Sequence, residues 1–586
     1  MKPTTSQYIE LLGTYLRPQR RRALGLALLL LLSTGLQLLN PQVLRYFIDT
    51  AVAGGALRLL LTAAALFIFI ALVSQVVGVA ATYVGEVVGW TATNALRADL
   101  AQHCLELDMS FHNDRTPGEL IERIDGDVNT LSNFFSRFVV LVLGSALLLL
   151  GVLVILFRED WRVGLALTLF TLFALIVLRR LRDIAVPHMA AERQASAELN
   201  GFLEERLSGM SDLRANGAGP YVMQRYHVYM RDLFRKGRHA ELVASVGWVS
   251  MTMLFTLGYA LAFSLGYILY SRGTMTIGTV YLVFYYTELL RRPIEDLTEQ
   301  IQDLQKAGAS IGRIVEIYNL RPNLVDGSGT ALRDSSGAHS VEFRDVSFGY
   351  GHDEMVLHDV SFRLEPGEVL GVLGRTGSGK STIARLLFRL YDPARGVVLL
   401  DGVDVRQARI DDLRRRVGMV TQQVQLFQGA VRDNITLFDP NVPDASIEQA
   451  LSDAGLGAWL RSLPAGLDTP LSSGGSGLSA GEAQLLAFAR VLLREPGLVI
   501  LDEASSRLDP ATEQLIEHAV DRLLDNRTGI IIAHRLATVE RADFILVMED
   551  GRVVEHGRRE QLVADPGSRF HSLLRTGLGE LAPTTS

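Results

Sequence analysis

The sequence predicts a helical transmembrane domain, six long helices reaching beyond the bilayer, followed by an α/β domain of the P-loop class. Three observations carry that expectation. Long apolar tracts fill the chain up to about residue 290, and after about 320 the composition is that of an ordinary water-soluble domain. From Ser340 onward strand-like runs alternate with helical ones, as in a sheet with helical crossovers. Within that region the apolar run Val369, Leu370, Val372, Leu373 feeds into a complete phosphate-binding loop pattern, Gly374-Arg375-Thr376-Gly377-Ser378-Gly379-Lys380-Ser381. At 586 residues the chain exceeds what one core organises, so at least two domains are expected.

A bilayer core of about 30 Å takes roughly 20 apolar residues in a helix. The first tract covers about 23–47 and the second about 59–84. The third, about 138–157, is joined by Arg158-Glu159-Asp160 to the fourth, about 161–178. The fifth lies within 242–271, and the sixth starts near Thr276 and soon meets Glu288, Arg291, Arg292 and Pro293. Residues 8–16 mix apolar and polar side chains in the manner of a short helix lying on the membrane face. Arg20 to Arg22 precede the first tract without a small-residue cleavage site after it, so the tract is expected to stay as a span.

The connectors after spans two and four are long, polar and arginine-rich, whereas the other three are short. Arginine surplus marks the cytoplasmic side. Both long connectors, the N-terminus and the C-terminal domain then share that side, as an even number of spans requires. Segments 91–109 and 190–213 read as helices that carry the spans into the cytosol, with turns at Pro117-Gly118 and at 217–220. The expected division is a transmembrane domain over 1–318, a Gly/Ser/Asp-rich linker over 319–339 and a nucleotide-binding domain over 340–586, with core strands at Val398-Leu399-Leu400, Gly418-Met419-Val420, 498–501 and 529–532.

Composition removes several classes of function. A net charge of −7 offers no basic footprint for nucleic acid. One cysteine, Cys104, excludes an intramolecular disulfide and a cysteine-built metal site. Lysine is scarce: only Lys2, Lys236, Lys306 and Lys380 stand among 57 basic residues, so a lysine kept at 380 signals a need for a compact point charge. Arginine in place of lysine also points to a bacterial, GC-rich source.

The loop pattern is a physical device for holding ATP. Its glycines let backbone N–H groups curl round a triphosphate, and the following helix aims its positive dipole end at the same charge. Lys380 would reach the β/γ-phosphates, Ser381 would hold Mg²⁺, and Gly374, Arg375, Thr376, Gly377, Ser378, Gly379 and Thr382 complete the cradle. The apolar run 498–501 ends in Asp502 and Glu503, with Asp502 expected on the metal and Glu503 polarising the attacking water.

With Leu478-Ser479-Ala480-Gly481-Glu482 added, order and spacing over nearly the whole chain resemble an ABC transporter of the exporter type: six spans fused to one nucleotide-binding domain. The resemblance implies a dimer in which Ser479, Ala480, Gly481 and Glu482 open a helix that grips the γ-phosphate of ATP held by the opposite subunit. It further implies that Tyr350 stacks on adenine, that Gln422 senses metal and water, that His534 touches the γ-phosphate and orients Glu503, and that Asp509 sits at the dimer seam. Segments 111–127 and 204–217 resemble the family's two coupling segments.

This chain departs from the family pattern at three points. Ala480 and Glu482 stand where glycine and glutamine are usual, Arg507 replaces an alanine, and Ser472-Ser473-Gly474-Gly475-Ser476-Gly477 replaces an acidic stretch. An altered signature beside intact hydrolytic residues resembles one member of a heterodimeric exporter, and a heterodimer is favoured over a homodimer. The expectation is ATP-driven efflux of a hydrophobic or amphipathic drug, lipid or peptide across the bacterial inner membrane. A membrane-tethered ATPase that senses without transporting is the alternative, and import is disfavoured. Glu288, Arg291 and Arg292 either line a water-filled cavity or emerge into the headgroups, and the tyrosines and phenylalanines of the last two spans are read chiefly as packing.

Overall fold

The computed structural model describes residues 13–327, 329, 332, 337–351, 355–472, 478–502, 510–533 and 536–579. Two compact units result: one of residues 1–106 and 116–320, the other of residues 107–115 and 321–586.

The first unit is helical. It comprises α1 (Arg20–Val52), α2 (Leu57–Glu106), α3 (Gly144–Glu159), α4 (Trp161–Ser208), α5 (Gly219–Ser271), α6 (Ile277–Leu289) and α7 (Arg291–Asn319). Helices α2, α4 and α5 hold 50, 48 and 53 residues, about 70–80 Å each at helical rise, more than twice a bilayer core. Among the described residues five helical stretches are by themselves long and apolar enough to cross a membrane. The sixth tract is divided. Pro293 has no N–H to give the Leu289 carbonyl and its ring crowds that oxygen, so regular helix lapses at Leu290 and resumes as α7. Bonds from Leu290 N to Tyr286 O (3.1 Å) and from Ile294 N to Leu290 O (3.2 Å) keep the two pieces on one path.

Short polar caps set the reversals. Asp160, extended at φ −157°, ends α3 and caps α4 by accepting from Arg162 N at 2.8 Å. Thr276 caps α6 by accepting from Thr279 N at 3.1 Å. The third tract begins π-wound, over Phe134–Leu143, before tightening into α3. The unit's core is apolar, with Val152, Leu156, Val163, Leu167, Ala174, Ala262, Leu282 and Val283 fully buried, while Leu28, Ile68, Phe69 and Val76 lie exposed on the outer faces, as contact with lipid demands. Of the segment expected at the membrane face, residues 13–16 are helical and the remainder lies outside the described residues.

The second unit carries two main sheets and a two-stranded antiparallel ladder of β7 (Gly429–Ala430) and β8 (Pro470–Leu471). The smaller main sheet is antiparallel, in the order β2 (Leu357–Leu364), β1 (Val341–Phe348), β4 (Arg395–Leu400), β5 (Val403–Asp404). The larger runs β12 (Arg552–Arg558), β11 (Phe544–Glu549), β3 (Val369–Gly374), β10 (Thr528–Ile532), β9 (Leu498–Asp502), β6 (Val417–Val420), and all its strands except the edge strand β12 are parallel. Its central strands are continuous apolar runs because both faces are covered: Val372, Ile500, Ile530, Ile532 and Leu546 have no exposed surface. Helices α8 (Lys380–Leu387), α9 (Ala480–Leu492) and α10 (Pro510–Leu524) follow the loop, the signature and β9.

Residues 107–115 belong to this second unit although they follow α2 in the chain. The Asp108 carboxylate accepts from the backbone N–H groups of Asn323 and Leu324, and Asn113 Nδ2 donates to the Tyr391 hydroxyl at 2.6 Å. Burial, then the neighbouring Tyr350, raises the Tyr391 phenol above its ordinary value, so it stays neutral and able to accept.

Candidate nucleotide site

The site grows from strand register. Val372 on β3 pairs with Ile532 on β10, and Ile532 pairs with Asp502 on β9. Three parallel strands therefore end level at one edge of the sheet, where β3 runs into the phosphate-binding loop and β9 delivers Asp502. The carboxyl edge of a parallel sheet is where such folds bind ligands. Asp502 lies nearly buried at this edge (9% exposed). Glu503, Asp509 and His534 lie outside the described residues, as do Arg507 and 473–477.

The loop is shaped to admit an anion. Gly374, Gly377 and Gly379 adopt φ of 154°, 86° and 95°, values that L side chains rarely take. A Cβ at Gly374 would lie 2.3 Å from the Met548 carbonyl oxygen and 2.5 Å from Ser378 Oγ, so the close approach excludes any side chain. Lys380, 4% exposed, donates from Nζ to the carbonyls of Gly374 (2.7 Å) and Arg375 (3.0 Å), which draws its charge back across the loop. Ser378 Oγ is buried with no hydrogen-bond partner among the described residues. A glycine-lined concavity, an unsatisfied hydroxyl, a positioned ammonium and the N-terminus of α8 together fit a polyphosphate. Ser381 follows Lys380 in the first turn of α8, and Arg375 and Thr376 form the loop's exposed crown.

Tyr350 stands beside α8. Its hydroxyl lies 3.0 Å from Thr382 Oγ1 and accepts from Arg385 at 2.9 Å, and its half-exposed ring meets Phe348 and Tyr391 edge-on at 5.0 and 5.2 Å. Gln422 is exposed just beyond β6, the neighbour of β9. Arg385 and Tyr391 carry no motif. Arg385 lies three residues beyond Thr382, on the same helical face, which is the one sign of it in the sequence.

The signature segment is a capped helix start. Ser479 Oγ accepts from Glu482 N at 3.1 Å, and the Glu482 carboxylate turns back to accept from Ser479 N at 2.7 Å. The charge read from the sequence as a departure is thus one half of a capping box. Ala480 is exposed at the first helical position, and Gly481 is buried.

Residues 24–294 match the family model described as ABC transporter transmembrane region, and 357–506 match ABC transporter. The ATP-dependent lipid A-core flippase of Pseudomonas fluorescens is 34% identical over 83% of this chain and 81% of its own length. The chain belongs to the ABC transporters, in their exporter form. A fatty acid ABC transporter ATP-binding/permease protein of Mycobacterium bovis is 31% identical over 80% of the transporter and 74% of its own length. Among solved structures, a bacterial Atm1-family ABC exporter with ATP bound superposes at TM-score 0.79, with 26% identity, covering 97% of the transporter and 99% of that chain. The transporter is accordingly a multi-pass membrane protein that binds ATP in its second unit and couples ATP hydrolysis to export, working as a dimer.

Proposed function

We propose that the transporter is one half of a heterodimeric exporter in the bacterial inner membrane that moves a hydrophobic or amphipathic drug, lipid or peptide by alternating access. The observation that carries this reading is the level ending of β3, β9 and β10, which sets the phosphate-binding loop and Asp502 at one sheet edge, in a chain whose other unit holds helices long and apolar enough to cross a membrane. The N-terminus, the long helical extensions and the ATPase unit face the cytosol, in keeping with the arginine surplus of the long connectors.

In this reading ATP lies on the loop from Gly374 to Thr382 with its adenine against Tyr350. The signature of the second subunit, equivalent to 479–482 here, covers the γ-phosphate, and Asp509 lies along the seam. Mg²⁺, when bound, neutralises phosphate charge, and Ser381, Asp502 and Gln422 are the groups to hold it. Lys380 neutralises the β/γ-phosphates. Glu503 holds the water for attack and accepts its proton, and His534 keeps that carboxylate and the γ-phosphate aligned. Closure on ATP shifts the membrane helices between inward and outward openings, because ATP binds the closed state more tightly. The heterodimer is supported by Ala480, Arg507 and the 472–477 replacement.

Glu503→Gln tests the chemistry. It is expected to retain ATP affinity while turnover falls at least about 100-fold, since the carboxylate acts in the transition state. Turnover within a few-fold of the parent protein would remove Glu503 from the mechanism.

A further inference from the structure

The facing surfaces of α5 and α6 join one acidic side chain to a run of aromatic rings. Glu288 stands roughly 17 Å along α6 from its Ile277 end, near the middle of a 30 Å hydrocarbon core, and it is exposed. A carboxylate at that depth is tolerated only where it meets a water-filled space or a cation. Among the described residues the Tyr259 hydroxyl donates to it from a matching depth on α5. Arg291, one turn beyond, is engaged with Glu295 at 3.1 Å. Among the described residues no cation lies within ion-pair distance of the Glu288 carboxylate.

Aromatic rings lead away from this carboxylate without a break. Phe284 meets Tyr259 at 5.3 Å, stacks on Phe263 at 4.8 Å and meets Tyr281 at 6.0 Å. Beyond them an open cavity of about 390 Å³ is lined by Phe263, Tyr267, Tyr270, Ile277, Val280 and Tyr281. Ring faces attract cations as well as apolar carbon, and the trough ends on a negative charge.

We propose that this trough and Glu288 form the substrate site for a lipophilic cation, a drug-sized apolar body carrying one positive charge. The proposal rests on the export reading and narrows it. Aromatic walls hold the body, and the Glu288 carboxylate neutralises the charge at a depth where water is scarce.

The test is equilibrium binding to the full-length transporter in lipid nanodiscs without nucleotide, using three probes of similar shape: tetraphenylphosphonium, tetraphenylborate and neutral triphenylphosphine oxide. The phosphonium is expected to bind saturably and the borate not. Glu288→Gln is expected to weaken the phosphonium at least about ten-fold, the loss of one desolvated charge partner, while leaving the neutral probe unchanged. Glu288→Asp keeps most of the cation affinity, which guards against a misfolded variant, and Phe263→Ala weakens both the cation and the neutral probe. Equal binding of phosphonium and borate overturns the proposal, as does phosphonium binding indifferent to Glu288→Gln. So does a Glu288→Gln protein that loses its dimer yet keeps phosphonium affinity, which would assign the carboxylate to the subunit seam. Charge-selective binding without ATP-driven uptake into vesicles would support the site and sink the export reading instead.

Discussion

Lys380 shows how much one side chain's surroundings add to a motif. Its ammonium donates to the Gly374 and Arg375 carbonyls, so the cation is held across the loop rather than left to sample solvent. Lys380→Met is expected to reduce ATP affinity at least ten-fold by removing a charge-assisted contact. It also leaves two carbonyls without their charged donor, a cost of about 1–3 kcal/mol readable as a lowered thermal midpoint. Lys380→Arg should fail as well, because a planar fork does not fit a site that leaves lysine 4% exposed. Nucleotide-binding titrations beside thermal unfolding check both. Gly374 is equally unforgiving: Gly374→Ala puts a Cβ against backbone, and loss of nucleotide binding with a lowered midpoint is expected. Lys380 was readable in the sequence because its chemistry is local, within a loop of eight residues, whereas the carbonyl that crowds Gly374 comes from Met548 on β11. Arg385 and the Asn113–Tyr391 bond were not, since the first depends on Tyr350 arriving from the bend after β1 and the second joins positions 278 residues apart.

Among the elements, α9 and the α6–α7 pair set local rules against each other. As a residue type, Glu482 departs from the family pattern by bringing a carboxylate where glutamine is usual. As an N3 residue it satisfies the Ser479 N–H that the helix start would otherwise leave open. Glu482→Ala is expected to weaken the cap by about 0.5–2 kcal/mol, seen as several-fold faster hydrogen exchange at the first amides of α9, with Glu482→Gln largely preserving protection. The pattern Ser-x-x-Glu is itself a capping signal, and it coincides here with the signature segment. At the sixth span Pro293 accounts for the break, acting on Leu289 four residues earlier. Pro293→Ala restores that donor, and a continuous helix through Leu290 is expected, with slowed exchange at the new amide of residue 293.

For the whole molecule, the helical membrane unit, its long helices and the P-loop sheet followed from hydropathy and alternating runs, because bilayer thickness and sheet burial impose them on any sequence. Strand order did not follow, since β12-β11-β3-β10-β9-β6 depends on crossovers that no local pattern encodes. Pairing is the property to measure at this scale. Differently tagged copies of this chain, produced with and without a second half-transporter, separate the two assemblies. The heterodimer reading expects ATP turnover only in complexes that contain the second chain, and a fully active complex of identical copies would overturn it.

The nine residues from Leu107 to Arg115 have a practical consequence for anyone dividing this protein. A cut at the linker yields an engine stripped of a piece it borrows from upstream. Tyr391 would lose the amide it accepts from, and the backbone at Asn323 and Leu324 would lose its carboxylate. A soluble fragment would behave better with those nine residues grafted back, and the gain in its melting temperature on grafting would measure how firmly the ATPase holds the borrowed piece.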